Sequence, residues 1–186
     1  MMVAMGTTHT EISTDLGQWI EKQKVFFVAT APLSRDGHIN CSPKGGDTFR
    51  VLGPSEAAFL DLTGSGAETI AHLKENRRIV IMFCAFEGEA MIVRLHGEGE
   101  SIIPSDPRFA ELIKKFPANP GVRSIIHIAV SRVSSSCGMA VPFMNFQSHR
   151  DELDRWAEEK GPVKLVEYQR RKNAESIDGL PALKPL

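Results

Sequence analysis

Cysteine is scarce and poorly placed for crosslinking. Cys41, Cys84 and Cys137 are three in number, far apart and without a CxxC pair. Neither a disulfide framework nor a thiolate zinc site is expected, and a reducing, cytoplasmic setting fits better. Long apolar runs are missing: none approaches the roughly 20 residues that cross a bilayer. The opening MMVAMGTTHT has no basic stretch ahead of an apolar core, so neither a signal peptide nor a membrane partner is expected. Charge of one sign is not in excess either. Lys and Arg number 22 against 23 Asp and Glu, a formal net charge of -1, whereas a sequence-independent nucleic-acid binder is normally basic. The six histidines lack HxxxH or HExxH spacing, so no metal is assigned. There is no GxxxxGKS/T loop, which argues against a nucleoside triphosphatase. Catalytic triads are spatial, and no catalytic residue can be assigned from spacing.

The 186 residues, 42% of them hydrophobic, suffice for one well-filled core and predict a single domain over 1–186. Ile12, Leu16, Trp19 and Ile20 form the stripe of an amphipathic helix. KVFFVATA, HINCS, AAFLDL, RIVIMFCAF, AMIVRLHGEGESI and GVRSIIHIAVSRVSSSCG read as strands. SGAETIAHLKEN is a short helix with Ile70 and Leu73 on its apolar face. SDPRFAELIKKF is a helix capped by its serine, with Phe109, Leu112, Ile113 and Phe116 on one face. SHRDELDRWAEEKG starts at a Ser-x-x-Asp cap and ends at Gly161, and Pro162 opens a further helix to about Asn173. The remaining tail reads as a loop or arm. Five or six strands with helices between them and no βαβ rhythm predict an α+β, mostly β chain. The expected form is a small antiparallel, Greek-key-like barrel over about 16–146, with a helical extension and arm over 147–186.

Two stretches suit an anion. In CSPKGGDTFR, Ser42 offers a hydroxyl, Lys44 and Arg50 offer charge, and Gly45 and Gly46 let backbone N–H groups come close to a ligand; a solvated turn between strands is the alternative. In DLTGSGAET, Thr63, Ser65 and Thr69 lie between a strand end and a helix start, where free amides and the helix dipole favour negative charge. Ordinary capping by Ser65 is the alternative there. Cys84 reads as core, whereas Cys137 leaves a strand just before Gly138. Asp106, Glu111, Glu152 and Asp154 read as solvated charges, and EYQRRK as a surface run.

The segments KVFFVATA, GHINCSPKGGD, AAFLDLTGSGAETIAHLKENRRIVIMF and RLHGEGE, in that order, resemble the pyridoxamine 5'-phosphate oxidase-like family of FMN-binding split β-barrels. The likeness covers about 16–146 and is most specific from Phe59 to Phe83. It implies a homodimer with FMN in the cleft between subunits and the FMN phosphate at the turn and helix start after AAFLDL. Thr63 falls on the family's phosphate-binding threonine, and Ala67, Glu68 and Thr69 fall on its usual Ser-Arg-Lys. Two cations are thus replaced, and Lys44 with Arg50 would restore the charge. Ser136 and Cys137 sit near the place of a Trp-Gly-Gly exit that lines the partner's flavin. The resemblance implies a flavin-dependent oxidoreductase acting on a small organic substrate. A flavin-binding sensor or carrier, or the same barrel holding F420 or haem, are the alternatives.

Overall fold

The computed structural model describes residues 6–183. Strands β1 (Thr8–His9), β2 (Val25–Thr30), β3 (Asn40–Gly45), β4 (Phe49–Gly53), β5 (Glu56–Leu62), β6 (Arg78–Cys84), β7 (Ile92–Ile102) and β8 (Val122–Ser136) form one antiparallel sheet. The order is β3-β2-β6-β7-β8-β5-β4, with β1 added to β8. The two ends of that order are neighbours in sequence, joined through Gly46, Asp47 and Thr48, so the sheet curls back on itself. Gly46 takes φ +71°, which a residue without Cβ adopts freely. β3 and β4 share no ladder among the described residues, which makes this a split barrel rather than a closed one.

The strand period of two fills the interior. Phe26 and Val28 of β2, Phe59 of β5, and Ile81 and Phe83 of β6 are buried in one cluster. Phe49 closes the split, its ring 5.1 Å from Phe26 and 5.0 Å from Phe83. On the other side of β5, Ala58 and Leu60 meet Ile102, Phe116 and Ile125 in a second cluster. Helix α1 (Thr14–Lys22) is capped by Ser13, whose hydroxyl accepts from Leu16 N at 3.3 Å, and buries Leu16 and Ile20. Helix α2 (Glu68–Asn76) buries Ile70 and Leu73 as its pattern predicts.

Three expectations change. β1 and β4 are strands beyond the six expected, and Pro43 to Gly45 continue the HINCS strand as part of β3 rather than forming a turn. The helix expected over SDPRFAELIKKF shrinks to α3 (Phe109–Leu112) and one 3₁₀ turn, Ile113–Lys115. Asp106 folds locally onto Arg108 N at 2.9 Å and onto its guanidinium, so Ser105 caps nothing. Helix α4 (Glu152–Lys172) has Asp151 at its cap position, but the Asp151 carboxylate accepts from Arg155 Nη2 at 3.1 Å and caps no helix amide, so the expected Ser-x-x-Asp box does not form. The break at Gly161, with φ 68° and ψ 166°, and Pro162 after it fall where the sequence puts them. Residues 137–151 run without regular structure across the sheet as a strap, and 173–183 return as an arm against α2.

Candidate anion site at the mouth of the barrel

At one mouth the interior rows turn polar. On β2 the row Phe26, Val28 ends in Thr30; on β5 the row Ala57, Phe59 ends in Asp61. All six are buried. On β3 the two-residue period places Asn40, Ser42 and Lys44 along one face, each half-buried, while Cys41, Pro43 and Gly45 are exposed. The start of α2 lies over this face. Together Asn40, Ser42, Lys44, Gly64, Thr69 and Arg123, with Leu62, Gly66 and Glu68, line a pocket of about 130 Å³. The two anion-suited segments of the sequence therefore meet in space.

Asp61 anchors the charge. Arg123 Nε donates to its Oδ2 at 2.7 Å and Nη2 to its Oδ1 at 3.2 Å, and Ser124 Oγ donates to Oδ2 at 3.2 Å. Lys44 Nζ stands 3.7 Å from Oδ1. Burial works against ionisation, but the charges of Arg123 and Lys44 and the hydrogen bonds outweigh it. The Asp61 carboxyl is held below the usual carboxylate range. Lys44 and Arg123 against Asp61 leave one net positive charge, with Glu68 at the rim opposing it.

A second network fixes the hydroxyls. Asn40 Nδ2 donates to Thr30 Oγ1 and to Thr69 Oγ1, each at 3.1 Å, and its Oδ1 accepts from Ser42 Oγ at 2.8 Å. Thr30 Oγ1 meets His72 Nδ1 at 2.9 Å. Since Thr69 Oγ1 accepts from Asn40, its own proton is left to be donated elsewhere. The cap position of α2 is Ala67, which has no side-chain hydrogen bond, so the first amides of the helix meet no cap from it. Glu68 leans over Gly66 and accepts Ile177 N at 3.3 Å.

The small pocket adjoins a cleft of about 1710 Å³ between the strap and the outside of the barrel. Lys44, Leu62 and Gly64 border both spaces. Phe27, Phe86, Met144 and Phe146 contribute apolar surface to the cleft, and His149 of the strap accepts Gly46 N at 3.2 Å.

A family model described as pyridoxamine 5'-phosphate oxidase matches residues 13–137. The chain belongs to the pyridoxamine 5'-phosphate oxidase family. A family protein of Aspergillus flavus, ustO, is 39% identical over 194 residues, spanning 94% of this chain and 77% of its own length. Among solved structures, a variant of HupZ from Group A Streptococcus aligns with a TM-score of 0.53 at 21% identity, over 67% of this chain and 98% of that one. A pyridoxamine 5'-phosphate oxidase-like protein of Lactobacillus delbrueckii aligns at 0.50 and 17% identity, over 67% and 94%. These two likenesses are of fold.

Within this family member the expected site residues divide. Ser42, Lys44 and Thr69 line the small pocket, and Gly45 lines the adjoining cleft. Thr63 is buried beside the pocket and turned inward, donating to Gly121 O at 2.8 Å and accepting from Gln169 Nε2 at 2.9 Å. Ser65 is exposed on the same turn. Arg50 is engaged elsewhere: its guanidinium forks onto Asp47 and donates to Lys115 O at 2.8 Å. Ser136 ends β8 and Cys137 follows it, both away from the pocket lining, with Ser136 Oγ accepting from Arg94 at 3.1 Å. Cys84 is buried. Sequence reasoning missed Arg123 and Asn40. Asn40 could have been found, because N-x-S-x-K on a strand puts three polar groups in a row. Among the described residues no group of three or more His, Cys, Asp or Glu could hold a metal, and no helix is long and apolar enough to cross a membrane.

Proposed function

We propose that this protein binds flavin mononucleotide and acts with it as an oxidoreductase on a small organic substrate, working as a two-fold dimer. The observation that supports the reading is the makeup of the small pocket. Two cations, a row of polar side chains and an uncapped helix start meet in about 130 Å³ beside a far larger, partly apolar cleft. Such a set fits a phosphate: charge-assisted donors, a free hydroxyl proton and helix amides all favour an anion. One guanidinium nitrogen of Arg123 is buried without a partner among the described residues, which an anion would relieve. A ligand held by its phosphate in the small pocket has the shared border of Lys44, Leu62 and Gly64 to cross into the cleft.

A bound flavin supplies a ring that exchanges a hydride with substrate, and the protein supplies position and electrostatics. Lys44 binds the phosphate, Ser42 and Thr69 orient it, and the turn from Thr63 to Gly66 shapes the pocket wall. In the dimer, Ser136 and Cys137 face the partner's cofactor. Lys44→Ala is the direct test. It removes a charge-assisted hydrogen bond of roughly 1.5 to 3 kcal/mol, so FMN affinity falls about ten- to a hundred-fold while riboflavin binds both proteins alike. Wild-type protein that neither quenches FMN fluorescence nor gains thermal stability from it overturns the reading, since ligand at 100 times its Kd should stabilise by about 2.7 kcal/mol.

A further inference from the structure

Arg123 is a pocket residue with a buried nitrogen whose bonding is incomplete among the described residues. Its side chain is 4% exposed, and Nε and Nη2 are both taken by Asp61, at 2.7 and 3.2 Å. Nη1 is buried and has no hydrogen-bond partner among the described residues. A guanidinium carries five donors in a rigid plane, so holding one edge on Asp61 fixes where the remaining nitrogen points. Leaving that nitrogen unpaired in the interior is costly. Lys44 is less constrained: its side chain is 25% exposed and its Nζ is 3.7 Å from the same carboxylate.

We propose that Arg123 is the fixed anion receptor of the small pocket, binding the ligand's phosphate through Nη1, with Asp61 as its positioning residue. This rests on the flavin-phosphate reading above and adds to it a cation from β8 rather than from the helix start. Ala67, Glu68 and Thr69 at that helix start bring no positive charge. Arg123 supplies direction, Lys44 supplies mobile charge, and the Thr69 hydroxyl, already accepting from Asn40, donates its own proton. Asp61 acts only through Arg123 and Lys44, since a carboxylate toward the phosphate would repel it.

The test compares FMN with riboflavin, which lacks the phosphate, by fluorescence titration on wild type and Arg123→Lys. Lysine can keep the ion pair with Asp61 but cannot fork. FMN affinity is expected to fall at least tenfold and riboflavin affinity to stay within twofold, so the preference for FMN collapses. The paired variant Asp61→Asn/Arg123→Gln removes both buried charges together and guards against a misfolded single variant; it should lose the same preference. Nitrogen-15 spectra of the wild-type arginine side chains give a reading without substitution: FMN, but not riboflavin, should shift a guanidinium signal protected from exchange. Either folded variant keeping its FMN-to-riboflavin ratio within twofold, or no such shifted signal, overturns the proposal. Inorganic phosphate separates this proposal from the flavin reading. If phosphate raises the melting temperature of wild type but not of Arg123→Lys while FMN does not bind, the flavin reading fails and the receptor stands. If wild type responds to neither probe, both fall.

Discussion

His72 shows how the mouth of the barrel responds to acid. It is fully buried on α2, with Nδ1 on Thr30 Oγ1 at 2.9 Å and Nε2 without a partner among the described residues. Burial draws its imidazole below the ordinary histidine value, although the carboxylates of Asp178, Glu68 and Glu75 pull the other way. In the unfolded chain the ring protonates near pH 6.5; in the fold it resists. Below about pH 6.5 the unfolded state therefore binds more protons, and stability falls as pH drops toward the folded value, by at most about 1.4 kcal/mol per pH unit. Urea unfolding of wild type and His72→Gln at pH 7.0 and 5.5 checks this: the variant should show a shallower loss, and equal losses would refute it. Asp61 has the opposite charge and the same direction of change. Its folded pKa is depressed, so its contribution is complete above about pH 3.9 and fades as pH falls through the lower folded value. The two losses set in at different pH, near about 6.5 for His72 and about 3.9 for Asp61.

Elements are where sequence and structure agree most and also where they part. β2, β6 and β8 were legible because their apolar runs are buried and hydrogen-bonded on both edges. β4 was not, because its five residues lie between GGD and PSE, where turn formers dominate any local reading. The pocket was half legible. Its hydroxyls and lysine announce themselves beside glycines, whereas Arg123 stands at the head of an apolar strand and looks solvent-facing. Only Asp61, distant in sequence and itself a lone charge in AAFLDL, explains why Arg123 is buried. The extension after the strap was legible as two helices and an arm, but its task was not. Gln169 of α4 bonds Thr63, and Asn173 Nδ2 donates to Gly64 O at 2.8 Å, so the extension holds the turn that walls the pocket. The arm adds buried Ala182 and Leu183 against the core. Asn173 is fully buried, and Asn173→Ala should cost about 1 kcal/mol by removing the donor to the half-buried Gly64 carbonyl. Amide exchange around Gly64 to Thr69 should quicken beyond what the global loss explains. Exchange that rises uniformly through the molecule would show that the extension packs without shaping the site.

At the scale of the whole molecule, the strap carries an apolar surface that a lone chain leaves uncovered. Phe143 is 84% exposed, Met139 76% and Met144 56%. All three lie on residues 137–151, whose backbone touches the barrel at Met144 N to Phe86 O, 3.0 Å, and through the Glu87 carboxylate on Phe146 N, 3.0 Å. Strap and barrel residues together line the large cleft. Exposed apolar surface is a candidate association site, and an isologous two-fold contact would cover it on both copies at once. Light scattering at low micromolar concentration should therefore report about twice the chain mass of 20.5 kDa. Phe143→Asp should shift the protein toward monomer, because a carboxylate in a dry contact costs several kcal/mol. The same variant should weaken FMN and riboflavin together, since it removes the proposed partner subunit and leaves the phosphate pocket intact. That pattern is the inverse of Lys44→Ala, which discriminates between the two ligands. A wild-type monomer would remove the intersubunit cleft, and Phe143→Asp that dissociates while binding FMN normally would place the whole cofactor site within one chain.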